Sequence, residues 1–143
     1  MLDTKVKPHE FMIFPTVQKA WIEGKGILLW AGLFFVEFGG SLFLVSSIFF
    51  CHWGQTTGWL IAGLLGGGCH FLFLGHPSRI YRAVKKPQSA WISRGLIIIS
   101  LFQLLGLLHL LMLYFSTHIL WLMVAANIMA VATVAYGGYE LAD

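Results

Sequence analysis

The chain has 143 residues, of which 58% are hydrophobic and only 10% charged, and its mean hydropathy is +0.80. Soluble domains carry about 25% charged residues, so this composition excludes an ordinary soluble domain and belongs to a membrane class. The formal net charge is +3, nine Lys and Arg against six Asp and Glu, and the basic residues are confined to 5–25 and 79–94, beside apolar spans. That placement gives no nucleic-acid footprint.

The N-terminal segment, residues 1–25, is polar and carries Lys5, Lys7, Lys19 and Lys25 with Asp3, Glu10 and Glu23. It has no apolar run long enough for a signal-peptide core, so it is expected to be retained as an interfacial segment. The first apolar span, Gly26–Phe50, holds Glu37 about 16 Å from its start at 1.5 Å per residue, close to the midplane. A carboxyl there is either functional, as a proton-relay group or ligand contact, or a protonated acid hydrogen-bonded to a neighbouring helix.

A short connection without Lys or Arg is expected at 51–57, followed by a second span at Gly58–Gly75. Ala62, Gly66 and His70 fall at i, i+4 and i+8, on one helix face. Small residues allow close helix approach, which directs His70 into the bundle as a packed or a proton-handling histidine. Cys51 and Cys69 form no C-x-x-C and suggest neither a disulfide framework nor a metal site.

The loop 76–94 holds Arg79, Arg82, Lys85, Lys86 and Arg94. Pro77 suits the first turn of a helix. Ile80, Tyr81 and Val84 then fall on one side and Arg79, Arg82 and Lys86 on another, which predicts a short amphipathic interfacial helix stopped by Pro87. Trp91 follows as an interfacial aromatic, and the plain alternative is a charged topology anchor.

The third span, Gly95–Phe115, carries Gln103 and His109. A short connection, 116–118, leads to the fourth, Ile119–Gly137, which carries Asn127. Gln103 and Asn127 read as interhelical hydrogen-bonders. His70 and His109 differ in depth by roughly 13 Å, which argues against a haem held between them. Tyr136-Gly137-Gly138-Tyr139 emerges at the level of His76 and Arg79. A phenol, an imidazole and a guanidinium at one depth suit a carbonyl-bearing ring, although aromatic belts with basic flanks are also common at membrane interfaces.

The expected fold is therefore an all-α four-helix transmembrane bundle over 26–143. An even number of spans puts all the basic residues on one face, and the positive-inside rule places that face in the cytoplasm, the protein being multi-pass in the inner membrane.

The stretch Leu74-Gly75-His76-Pro77-Ser78-Arg79-Ile80-Tyr81-Arg82-Ala83, followed by Lys86-Pro87-Gln88-Ser89-Ala90-Trp91-Ile92-Ser93-Arg94-Gly95, resembles the signature loop of the NrfD-like family. That family includes the polysulfide reductase membrane subunit and the DMSO reductase anchor. Gly39-Gly40 resembles its Gly-rich first helix, and Tyr136-Gly137 the Y-x-G that closes its fourth. His76 stands where the family usually has arginine, and Tyr81 where it has tryptophan.

The resemblance implies a membrane subunit that exchanges electrons with the quinone pool, menaquinone or ubiquinone, and holds no haem or iron–sulfur cluster itself. A ferredoxin-like iron–sulfur subunit would dock on the loop face, with a molybdopterin-type catalytic subunit beyond it. By motif, Tyr136 would contact quinone and Arg79, Trp91 and Arg94 would shape the docking face, where Arg82 also lies; His76 and Arg79 are placed beside Tyr136 by depth. Glu37 and His70, which match no motif, are candidate proton-relay groups by depth and polarity alone. Family members have two four-helix halves, so the resemblance implies that this chain corresponds to the first half, and that it either is part of a longer protein or pairs with a second chain or a copy of itself. In exported members the loop face is periplasmic, against the positive-inside count. The rival readings are a small transporter or channel using Glu37, and a structural anchor.

Overall fold

The computed structural model describes residues 24–74 and 91–140, all helical apart from two short connections and the first residues. We label the helices α1 (Gly26–Ile48), α2 (52–74), α3 (Trp91–Tyr114) and α4 (Leu120–Glu140). Four stretches are long and apolar enough to cross a membrane: Gly26–Ile48, His52–Phe73, Arg94–Tyr114 and Leu120–Gly138. In hydrocarbon every backbone N–H and C=O must be paired within the segment, which makes helix the stable state of such spans. Over its described residues the chain is all-α with four membrane-length helices, and it is a multi-pass membrane protein.

α1 is the central helix, packed on α2 and on α4, while α3 packs on α4 and on the first part of α2. The α1–α2 seam is built from small residues. A Cβ at Gly39 would come within 2.5 Å of both the Ala62 nitrogen and the Gly58 carbonyl oxygen, and Gly66 lies on Val36 and the Gly32 carbonyl. Small residues let two backbones touch, which replaces the hydrophobic driving force that lipid does not supply. At mid-depth each helix contributes to one fully buried cluster: Phe43, Ala62, Phe102, Ala126 and Ala130. The Phe43 and Phe102 rings meet edge-to-face, with centroids 5.3 Å apart. Outward, Trp30, Phe34 and Phe38 stack as a ladder, each centroid 6.1 Å from the next. These rings are half exposed, as suits a face solvated by acyl chains.

The second helix starts at His52, two turns before the expected Gly58. Hydropathy misses those turns because they are polar, yet Gln55 and Gly58 are buried in them and Gly54 lies on the Ser46 hydroxyl. The first connection therefore shrinks to 49–51. It closes with Phe50 in the left-handed region at φ 54°, and the Phe50 and Cys51 N–H groups donate to the Ser47 and Ser46 carbonyls at 3.2 and 2.8 Å. The 115–119 connection repeats the device, with Ser116 at φ 55° and the Ser116 and Thr117 N–H groups donating to Leu113 and Met112, each at 2.9 Å. Glycine usually fills this helix-ending position.

Two further differences concern α2 and α3. Residues Ile61–Gly67 of α2 are π-helical, between α-helical His52–Leu60 and Gly68–Leu74. At the other end, α3 begins at Trp91, so the last residues of the segment read as loop 76–94 are its first turn. The amphipathic helix expected after Pro77 lies outside the described residues.

Candidate functional site

Two polar regions stand at opposite ends of the bundle. The first lies where α3 begins and α4 finishes. The Tyr136 ring is buried, 7% exposed, and rests on Gly95, where any side chain would run into the phenol. Arg94, the next residue of α3, is exposed. One residue beyond Tyr136, Gly137 faces α1, and a side chain there would collide with the Glu37 carboxyl. Glycines on α3 and α4 thus make room for a phenol and a carboxyl from neighbouring helices. The Glu37 Oε1 is buried and has no hydrogen-bond partner among the described residues.

Sequence depth placed Glu37 near the midplane and Tyr136 at the basic face. The structure puts them at one level, because α1 is displaced along its axis relative to α4. Gly40 approaches Val134 and Ala130, and Asn127 Nδ2 donates to Ser47 Oγ at 2.9 Å. These contacts carry the same offset along the whole helix pair.

The other expected site residues fall differently. His76, Arg79 and Arg82 lie outside the described residues, as does the side chain of Trp91, whose backbone opens α3. His70 Nδ1 bonds the Gly66 carbonyl at 2.8 Å, and its ring lies over Gly32. A carbonyl oxygen only accepts, so Nδ1 carries the proton and Nε2 is the ring's other polar atom. Gly32, Val36 and Gly39 form the α2-facing side of α1, whereas Glu37 and Gly40 meet α4. His70, on α2, thus packs against one face of α1 while Glu37 projects from another, and among the described residues no hydrogen bond joins the two candidate proton-relay groups.

Gln103 and Asn127 act as interhelical bonders. The Trp59 indole N–H donates to the Gln103 carbonyl at 2.9 Å, and the Gln103 amide donates to the Trp59 carbonyl at 3.4 Å.

The second polar region, at the end of the connections 49–51 and 115–119, is one that residue depth alone did not assemble. His109, 4% exposed, and Gln55, 2% exposed, share a buried hydrogen bond of 3.0 Å between Nε2 and Oε1. His52 and His118 lie at the rim with ring centroids 6.5 Å apart. All four border a cavity of about 320 Å³. The signal in the sequence was His52 and Gln55 at i, i+3, hidden by reading 51–57 as a connection. Among the described residues no His, Cys, Asp or Glu group is arranged to hold a metal ion.

No protein-family model, curated protein or solved structure matches the chain. The functional reading rests on these residues and on the motif resemblance.

Proposed function

We propose that the chain is the quinone-interacting membrane subunit of a multi-subunit oxidoreductase, passing electrons between an iron–sulfur partner and the membrane quinone pool, with a molybdopterin-type catalytic subunit beyond. The observation that carries this reading is the meeting of Glu37, Tyr136-Gly137 and Arg94-Gly95 at one level. The two motif segments that suggested the family, the end of the loop and the close of α4, are neighbours there through Tyr136 and Gly95. A carboxyl that no motif selected is added beside them.

Quinone reduction takes up two electrons and two protons, and the partner's clusters would supply the electrons. The chain's residues supply binding, orientation and proton handling. The Tyr136 hydroxyl is suited to hold a ring carbonyl in place. The Glu37 carboxyl, with an unpartnered oxygen, is suited to hold or pass the proton that the ring exchanges. Gly95 and Gly137 leave the space that the phenol and the carboxyl occupy.

The test uses the assembled complex. Glu37→Gln should lower quinol-linked turnover by about a hundredfold, the usual scale for a lost proton-transfer group. Tyr136→Phe should lower it by about fivefold to tenfold, the worth of one hydrogen bond, with the complex intact in both variants. Unchanged turnover in both would leave the structural anchor. The unpartnered Glu37 oxygen also suits a transporter carboxylate. Glu37-dependent proton flux in liposomes containing this chain alone would favour that reading.

A further inference from the structure

We infer that the histidine-lined cavity at the end of the bundle opposite Tyr136 is a second binding site, for the ring of a neutral amphiphile that interconverts between carbonyl and hydroxyl forms. The quinone class of this ligand rests on the proposed function; the cavity and its lining do not.

Size and charge narrow the ligand first. A cavity of about 320 Å³ lies at the small end of the range of about 300–1,000 Å³ typical of ligand pockets, enough for a ring. Its polar lining is His52, Gln55, His109 and His118, with no Lys, Arg, Asp or Glu. A phosphate or carboxylate headgroup would find no permanent counter-charge there, so a neutral polar group is the better match. Phe50, Leu113, Leu120 and Met123 supply apolar walls for the ring and the start of a tail.

The hydrogen-bonding chemistry narrows it further. In one arrangement His109 Nε2–H donates to Gln55 Oε1, leaving the amide N–H groups as donors and His109 Nδ1 as an acceptor. Rotation of the Gln55 amide with exchange of the imidazole tautomer reverses the bond without displacing the ring or the chain. Oε1 then becomes the acceptor and Nδ1–H a donor. The pair thus offers donors and acceptors in swapped positions, which serves a ring carbonyl in one state and a ring hydroxyl in the other. A lysine or carboxylate could do only one of these.

The backbone singles out the same place. Both non-glycine residues with positive φ among the described residues, Phe50 and Ser116, are at this end. Phe50 itself lines the cavity, and Ser116 lies two residues before His118. A left-handed residue costs on the order of 1 kcal/mol. Such strain concentrates at binding sites, where the surrounding structure holds it.

The full chain in lipid nanodiscs is irradiated with an azido-substituted benzoquinone bearing a short alkyl tail, and the labelled peptides are mapped. Label is expected within 50–55 or 109–123. It should be competed away by excess unlabelled short-chain benzoquinone, and should fall about fivefold, the worth of one lost hydrogen bond, in Gln55→Leu and in His118→Ala. The second variant alters an exposed residue of a connection and leaves the buried pair intact, so it covers the case in which Gln55→Leu fails to fold. Tyr136→Phe should leave this label unchanged. Label confined to 131–140 overturns the second site and leaves the proposed function standing, whereas no label at either end counts against both. Far-end label that resists competitor and variants alike marks partition into the lipid phase, and also overturns the site.

Discussion

Gly137 has no side chain, and the Glu37 carboxyl fills the space one would take; Gly95 gives up the same space to the Tyr136 ring. A methyl at either position must displace a buried polar group, and overpacking of this kind costs about 1–3 kcal/mol. Gly137→Ala is therefore expected to destabilise the bundle by that amount, measured by denaturant unfolding in detergent. If the proposed function holds, it should also reduce quinone-linked turnover of the assembled complex even though it removes no functional atom. Gly138, one residue on, has nothing within 4 Å of the place its side chain would occupy, so Gly138→Ala serves as the control and should leave turnover unchanged. Tyr136 was legible in the sequence as an aromatic closing a span. That Gly137, the next residue, meets Glu37 was not, because this depends on the axial offset between α1 and α4, which no periodicity within either helix encodes.

Among the elements, α2 departs furthest from its sequence signal. The spans in α1, α3 and α4 are legible to within a few residues, since each is a continuous apolar run with weak polar interruption. The beginning of α2 is held instead by packing, with Gln55 bonded to His109 and Gly58 against the backbone of Phe43. Its centre follows the glycine pattern, and the face of Ala62, Gly66 and His70 does meet α1 as the spacing implies. Within that centre the backbone widens to π-helix, a form that appears mostly as single turns near functional sites. The seam predicts a position-specific effect. Gly39→Val should force α1 from α2 and lower stability by about 1–3 kcal/mol, while valine at Gly67, beside open space, should change it by no more than the modest difference in helix propensity. Unfolding midpoints of the two variants in detergent separate these outcomes.

At the scale of the whole molecule, the count of four membrane-length spans among the described residues was legible, since it needs only hydropathy. Which helices touch was not, because three-dimensional neighbours of apolar spans are chosen by small residues and a few polar bonds. The two tight corners, at 49–51 and 115–119, tie α1 to α2 and α3 to α4, each sealed by hydrogen bonds to its own helix end. The halves then meet through Asn127 and Ser47, through Gln103 and Trp59, and through Gln55 and His109. The described residues thus form two helical hairpins packed on one shared core, and membrane helices form before they associate. A chain cut between 75 and 90 and produced as two fragments should reassemble in the bilayer and co-purify, and leucine in place of both Asn127 and Gln55 should weaken that recovery. The covalent link between the hairpins would then be dispensable for assembly, with recognition written into their facing surfaces.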